Sequence, residues 1–255
     1  MKKVLEVIAM DIIRLGKKII KLFVPYGIIA IRNRNKVKSK SSFEVVLGNL
    51  KQRGVLINTV IDIGASDGRW SNDVMKIFPE SKYFLIEANE FHKNGLEIFK
   101  KNNKKVEYII AAAGDREGEI YFDNNDPFGG LAMNEKPEGN FSVVPVVTVD
   151  HYVQEKQYKG PFLLKLDTHG FEVPIINGAL ESLKKASIVI IEAYNFKIAK
   201  DSLLFYEMCE HMSKYGFRCS GIVDISYRPK DKFLWQMDLI FVRETREEFM
   251  DNNYL

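Results

Sequence analysis

Short apolar runs alternate with longer amphipathic stretches from residue 55 onwards. Each apolar run has the length of a buried strand, and each amphipathic stretch carries its apolar residues at helical spacing. The predicted strands are Thr59–Ile63, Tyr83–Glu87, Val106–Ala111, Phe162–Asp167 and Ser187–Glu192. The predicted helices are Arg69–Phe78, His92–Lys101, Phe171–Leu183 and Ser202–Tyr215. This alternation predicts an α/β fold with a mostly parallel sheet and helices on both faces.

Two regions depart from this alternation. Residues 119–149 predict a hairpin-like insertion with strand-like ends around Asn124–Gly130 and Asn134–Asn140. Near the end of the chain, two further apolar runs predict a pair of adjacent strands at Ile222–Ile225 and Leu239–Val242.

The first 40 residues form a segment of their own. Apolar residues recur there at helical spacing, at Ile8, Ile12, Leu15, Ile19 and Leu22, with basic residues on the opposite side. A further short helix containing Phe43, Val46, Leu47 and Leu50 is expected to end at Gly54. We therefore expect a basic amphipathic N-terminal helix and linker in residues 1–40 and one larger domain in residues 41–255.

Charge follows the same division. Residues 1–40 hold 11 basic and two acidic residues, a net charge of +9, so the whole-chain value of +3 leaves −6 for residues 41–255. Charged residues interrupt the N-terminal apolar stretch, which argues against a spanning helix and against a cleavable signal peptide. A hydrophobic fraction of 46% excludes a disordered polymer. Cys209 and Cys219 lack the number and spacing of a disulfide scaffold or zinc site, which indicates a reducing, cytoplasmic compartment.

The loop after the first predicted strand has the composition of a cofactor-binding turn. It lacks the glycine spacing that wraps a pyrophosphate, because position 66 is serine, and this argues against NAD or FAD. Glu87 ends the next strand, where a carboxylate can accept hydrogen bonds from both ribose hydroxyls. The combination favours S-adenosylmethionine. The expected cofactor-binding residues are Asp62, Gly64, Ala65, Ser66, Gly68, Glu87 and Ala88, with Asp115 near the adenine.

A second group of ionisable residues follows the predicted strand Phe162–Asp167. Lys165 and Asp167 lie on one face of this strand, and His169 and Glu172 follow in the turn and the helix start. Ligands of open α/β sheets bind at the carboxyl ends of the strands, so an acid, a base and a cation are expected to meet there.

The chain resembles the FkbM family of methyltransferases. The resemblance spans roughly residues 55–242 and is carried by Ile61–Ala65, Ile86–Asn89, Lys165–Glu172 and Asn177–Ala179. It implies a Rossmann-like methyltransferase fold that uses S-adenosylmethionine to methylate hydroxyls of sugars, glycan precursors or secondary metabolites. Ser66 stands where the family usually has Asn, and His169 where Glu or Gln is frequent.

Methylation of an alcohol requires removal of its proton, and the ordinary pKa of histidine suits this task near neutrality. His169 is therefore the first candidate for the general base, with Asp167 orienting it or holding the cofactor's ammonium group. Lys165 is expected to pair with Asp167 or Glu172. The expected acceptor-binding residues are Glu192, Tyr194, Tyr227 and Arg228.

Several alternatives remain open at this level. Asp167 and Glu192 would hold a divalent cation if a third ligand joined them, but the sequence does not indicate one, and no metal is assigned. The other three histidines, His92, His151 and His211, are given structural roles.

The alternatives for the whole protein are a methyltransferase-like scaffold in a membrane-associated glycan-assembly complex and a nucleotide-binding oxidoreductase. A nucleic-acid acceptor is not expected, because the main domain is acidic. The amphipathic segment in residues 1–40 suits peripheral contact with an anionic membrane, and it equally suits packing on the protein's own domain or in a homo-oligomer.

Overall fold

The computed structural model describes residues 42–126, 128–136 and 138–254, so the predictions for residues 1–40 lie outside the described residues. The helices are α1 Ser42–Gln52, α2 Arg69–Met75, α3 Lys93–Asn102, α4 Val149–Glu155, α5 Glu172–Asn177, α6 Leu180–Lys184 and α7 Phe205–Ser213. The strands are β1 Thr59–Ile63, β2 Lys82–Glu87, β3 Val106–Ile110, β4 Ala112–Ala113, β5 Gly118–Asp123, β6 Ala132–Met133, β7 Phe141–Val147, β8 Phe162–Leu166, β9 Ala186–Tyr194, β10 Phe217–Tyr227 and β11 Leu234–Arg243.

A seven-stranded sheet in the order β10-β11-β9-β8-β1-β2-β3 organises the described residues. The strands β3, β2, β1, β8 and β9 are parallel, whereas β11 runs antiparallel to both of its neighbours. From β1 the chain first adds β2 and β3 on one side, and it later returns to add β8 and β9 on the other side of β1. Such a reversal of strand order opens a crevice at the carboxyl ends of the central strands. The predicted α/β fold with a mostly parallel sheet is confirmed.

Apolar layers cover both faces of this sheet. All five residues of β1 are buried, and its three apolar residues divide between two hydrophobic clusters, with Val60 in one and Ile61 and Ile63 in the other. The first cluster packs against α1, through Leu47, and the second against α7, through Met208. A strand buried on both faces must be apolar at nearly every position, and for this reason the central strands are continuous apolar runs in the sequence.

The insertion after β3 is a small second sheet in the order β4-β7-β5-β6. Its main pair, β5 and β7, is antiparallel, so the expected hairpin is present. The expected strand ends at Asn124–Gly130 and Asn134–Asn140 were wrong, because the described residues of these polar, glycine-containing segments lie in loops and the apolar residues on either side form the strands.

Other boundaries also differ from the sequence prediction. The expected helix Phe171–Leu183 is two helices, since α5 ends at Asn177 and α6 begins at Leu180. Between them, Gly178 lies so close to the carbonyl oxygen of Gly114 that no side chain would fit at position 178. The helix α4 was not predicted from the sequence. It begins at Thr148, whose hydroxyl caps the backbone N–H of His151. None of the described helices is both long enough and apolar enough to cross a membrane.

Gly64 fixes the turn that leaves β1. Its φ of +76° lies in the left-handed region, and a Cβ atom there would lie 1.9 Å from the carbonyl oxygen of Asp167. Position 64 therefore requires glycine for two separate reasons, the backbone conformation and the contact with the end of β8.

Replacing Gly64 with alanine should destabilise the fold far more than the same change at Gly54. Gly54 also has a left-handed φ, of +81°, but has open space around a Cβ atom. Gly54→Ala should therefore cost only the conformational strain of about 1–2 kcal/mol, whereas Gly64→Ala adds a backbone collision. Urea unfolding of both variants measures the difference, and equal losses would contradict the tight contact with Asp167.

Candidate functional site

A cavity of about 550 Å³ lies at the carboxyl ends of the central strands. The strand register brings one row of positions across the sheet to this edge, because Ile63 pairs with Ile86 and Leu166, and Leu166 pairs with Ile191. The next residue after each of these four positions belongs to the row, and β11 adds Asp238, which pairs with Glu192. The row consists of Glu87, Gly64, Asp167, Glu192 and Asp238, and all five line the cavity.

Glu87 holds one end of this row. Its carboxylate accepts a 2.7 Å hydrogen bond from the backbone N–H of Ser66 and another of 2.7 Å from the backbone N–H of Asn89. Burial raises the pKa of Glu87, while the two N–H groups favour its charged form. Each oxygen keeps a second lone pair, so the carboxylate can also accept hydrogen bonds from a ligand.

Asp62 lies fully buried on β1, below the turn at Gly64. One carboxylate oxygen accepts a 2.7 Å hydrogen bond from Ser71, and the other has no hydrogen-bond partner among the described residues. Burial raises the pKa of Asp62 to about 6, although the charge of Lys165 opposes the shift. Asp62 was expected to contact the cofactor directly, but it does not line the cavity, and its unmet oxygen lies in the protein interior behind the turn.

Lys165 is a buried cation in the centre of the site. Its ammonium group lies 2.5 Å from Asp167, and only 5% of its side chain is exposed. Burial works against its charge, but the carboxylates of Asp167, Asp62 and Asp238 outweigh this effect and raise its pKa. Lys165 in turn holds the pKa of Asp167 below its usual value despite burial. Both groups are therefore charged at neutral pH.

His169 is held in the cavity by a left-handed backbone, with φ of +53°. Its Nδ1 lies 2.6 Å from the Tyr194 hydroxyl and 3.0 Å from Glu192, and its Nε2 lies 3.2 Å from the carbonyl oxygen of Phe128. Burial favours the neutral ring, but the hydrogen bond and charge of Glu192, together with Asp167, raise the pKa of His169 to about 9. The protonated ring has no free lone pair at neutral pH, which does not suit the general-base role expected from the sequence.

Glu192 is the best-anchored carboxylate of the row. Its two oxygens accept hydrogen bonds from the Tyr194 hydroxyl at 2.6 Å and from Gln236 at 2.5 Å. Ligand atoms of Asp167, His169 and Glu192 all lie within 4.8 Å of one another, so the third ligand that the sequence did not indicate is present. The protonated His169 already supplies positive charge between the two carboxylates, and a metal would have to displace its proton. We assign no metal.

The structure separates several expected site residues from the cavity. Glu172 is buried and accepts hydrogen bonds from the backbone of Gly170 and from Thr168, so it fixes the turn that carries His169. Gly68 begins α2, with its Cα against the ring of Phe99. Asp115 is exposed and is not part of the cavity lining.

The other two expected acceptor-binding residues lie elsewhere. Tyr227 is 60% exposed at the end of β10, and Arg228 pairs with Asp231 and stacks on Phe196. Neither residue lines the cavity. Arg228 therefore has one partner, Asp231, within its own hairpin and another, Phe196, in the segment after β9.

Other lining residues were missed by the sequence reasoning. His92, expected from the sequence to have a structural role, is buried in the cavity wall against Phe128. Phe128 belongs to the insertion, and Arg69 covers its ring. The antiparallel strand β11 supplies Gln236 and Asp238. No sequence motif marks any of these residues. The position of Gln236 and Asp238 beside β9, which carries Glu192, follows once the strand order is known.

The chain matches the family model described as Methyltransferase FkbM domain over residues 62–219, which is more than half of its length. The chain therefore belongs to the FkbM methyltransferase family, as its motifs implied. Its cofactor is S-adenosylmethionine. A search of curated protein sequences found no match.

Solved methyltransferase structures are similar to the chain at low identity. Methyltransferase FkbM from Methylobacillus flagellatus KT is 16% identical, with a TM-score of 0.46 over 73% of this chain and 45% of that chain. This chain thus spans less than half of that protein. Precorrin-6y C5,15-methyltransferase from Geobacter metallireducens GS-15 is 12% identical, with a TM-score of 0.43 over 82% of this chain and 91% of that chain. TrmK from M. capricolum, in complex with S-adenosylhomocysteine, is 11% identical, with a TM-score of 0.43 over 80% and 69%.

Replacing Glu87 with glutamine should weaken cofactor binding. The change keeps the shape of the side chain but removes the charge and one acceptor, so we expect a 10- to 150-fold higher dissociation constant, equivalent to about 1.5–3 kcal/mol. Calorimetric titration with S-adenosylhomocysteine measures the effect. The matched control is Glu90→Gln, since Glu90 is exposed and pairs with Lys93 at the surface. Equal affinities in the two variants would remove Glu87 from the cofactor site.

Replacing His169 with glutamine should make folding stability less dependent on pH. The pKa of His169 rises from 6.5 to about 9 on folding, so its stabilisation is fully present below pH 6.5 and is lost as the pH rises through 9. The wild type should therefore exceed His169→Gln by up to about 3 kcal/mol at pH 6 and by little at pH 10.

Thermal or urea unfolding across this pH range measures the difference between the two proteins. A constant difference from pH 6 to pH 10 would show that the ring is neutral in the folded protein. A rise in melting temperature on addition of Mn²⁺, lost in His169→Gln, would show that a metal takes the place of the proton.

Proposed function

We propose that this methyltransferase transfers the methyl group of S-adenosylmethionine to a hydroxyl of a sugar, a glycan precursor or a secondary metabolite. The observation that carries the proposal is the division of the cavity into two parts along the row of acidic residues. Glu87 and Gly64 lie at one end, Glu192 and Asp238 at the other, and Asp167 lies between them. Neighbouring strands lie about 4.8 Å apart, so the row is long enough for a nucleoside followed by an acceptor.

The end at Glu87 suits the cofactor. Glu87 would accept the ribose hydroxyls, and the backbone of Gly64, Ala65 and Ser66 would lie along the amino-acid portion. The adenine ring would lie against the small apolar residues that line this end of the cavity, Ala88, Ala111, Ala112 and Ala113. The bound cofactor supplies an electrophilic methyl group on a sulfonium.

The opposite end suits a polyhydroxylated acceptor. Its wall presents hydrogen-bond acceptors on Glu192, Asp224 and Asp238, and the side-chain amide of Gln236. Carboxylates accept hydrogen bonds from hydroxyl groups. The same wall would repel the phosphates of a nucleic acid, whose binding depends on basic residues. The indole of Trp70, beside the ammonium group of Lys165, adds apolar surface on which a sugar ring can pack.

The charged residues in the middle would orient the two reactants. Lys165 holds Asp167 in place through their ion pair, and Glu172 fixes the turn that presents His169. In its protonated form, His169 would donate hydrogen bonds and balance the charge of Glu192. These residues position the reacting groups, since proximity and orientation account for much of the rate of such transfers.

Methyl transfer to hydroxyl compounds is expected in an assay with a panel of acceptors. The protein is incubated with methyl-labelled S-adenosylmethionine and sugars, nucleotide sugars, polyhydroxylated metabolites or transfer RNA, and the label is traced by mass spectrometry. We expect an O-methyl product in the hydroxyl arms, formed more slowly by Asp167→Asn, and no labelled RNA. The exposed variant Glu90→Gln serves as the control. Labelled RNA alone would overturn the proposal, as would a product methylated on nitrogen.

A further inference from the structure

Transfer of a methyl group to a hydroxyl requires a residue that takes the hydroxyl proton. An alcohol is a weak nucleophile until this proton leaves. His169 does not fit this task at neutral pH, because its ring is protonated and both nitrogens are engaged. Another group in the acceptor part of the cavity must have a free lone pair.

Asp238 is placed on the acceptor side of the row. It lies on β11, directly opposite Glu192 on β9 and Val223 on β10, and it lines the cavity. Paired residues of neighbouring strands project to the same side of the sheet, so Asp238 and Glu192 face the cavity together. Charged groups near Asp238 come from three neighbouring strands and one turn. They are Lys165 on β8, Asp167 directly after β8, Glu192 on β9 and Asp224 on β10.

The carboxylate of Asp238 differs from the others of the site in its hydrogen bonds. Asp62, Glu87, Asp167, Glu172 and Glu192 each accept at least one hydrogen bond from a described residue. For Asp238, no such donor exists among the described residues, so its lone pairs are available to a ligand in the cavity. Burial raises its pKa to about 7 despite the nearby charge of Lys165, and the carboxylates of Asp167, Glu192 and Asp224 add to the rise.

We propose that Asp238 is the general base of the methyl transfer, accepting the proton of the acceptor hydroxyl from its place on the cavity wall opposite Glu192. This proposal rests on the proposed function. The acceptor oxygen forms a bond to the methyl carbon as the carbon–sulfur bond breaks, and the bonding pair stays on sulfur. The hydroxyl proton passes to the Asp238 carboxylate and then to solvent. The products are the methyl ether, S-adenosylhomocysteine and one proton.

The first test is kinetic and uses the hydroxyl compound that the acceptor panel identifies. The turnover number of the wild type should fall below pH 7 as Asp238 becomes protonated. Asp238→Asn should lose about 10²–10⁴ in turnover number and lose this pH dependence, while its affinity for S-adenosylhomocysteine stays within about threefold. Asp238→Glu should recover part of the rate, and the exposed Asp201→Asn should match the wild type. An active Asp238→Asn with an unchanged pH profile would overturn the proposal.

The second test does not depend on the acceptor. Carbon NMR of protein labelled at the aspartate carboxyl carbons, recorded from pH 4 to pH 9, should show a carboxyl with a midpoint near 7 that is absent in Asp238→Asn. If the carboxyl signal that is lost in Asp238→Asn titrates below pH 5.5, the proposal fails, and a signal near 6 that remains in this variant belongs to Asp62. A wild type that shows this titration but methylates no hydroxyl compound would refute the proposed function instead, because Asp238 would then have no hydroxyl proton to accept.

Discussion

The buried ammonium group of Lys165 is the interaction on which the arrangement of the site depends. A lysine that is almost fully removed from water is stable only beside opposite charge, and here Asp167 and Asp62 provide it from two adjacent strands. Removing one partner of such a buried pair typically costs about 3–5 kcal/mol. The ion pair with Asp167 therefore fixes the end of β8, and the charge of Asp62 on the neighbouring strand β1 adds to its stabilisation.

The tight contact between the turns after β1 and β8 follows from the same geometry. Gly64 approaches the carbonyl group of Asp167 so closely that no side chain fits between them. The cofactor turn and the turn that carries His169 thus form one rigid unit. A methyltransferase requires such a unit, because the sulfonium and the acceptor oxygen must approach each other in line, and small displacements reduce the rate strongly.

Protonated His169 links this unit to the rest of the acceptor wall. Through Glu192 and Tyr194 it reaches β9, and through the carbonyl group of Phe128 it reaches the insertion. A neutral imidazole could donate only one of these hydrogen bonds, since only one of its nitrogens would carry a hydrogen. A histidine at this position thus connects three parts of the cavity, and in our proposal the proton transfer belongs to Asp238 on β11.

The sequence by itself determined the α/β fold, the central strands and the family. Short continuous apolar runs bounded by turn residues predict buried strands, and the motifs at Gly64, Glu87 and Asp167 lie at the ends of those strands. The tertiary structure alone decided which residues share the cavity. Asp238 and Phe128 come from segments far from these motifs, and the register of β11 and the path of the insertion bring them to the site. The state of His169 was likewise decided by folding, because its pKa depends on burial and on the carboxylates around it, which only the folded chain brings together.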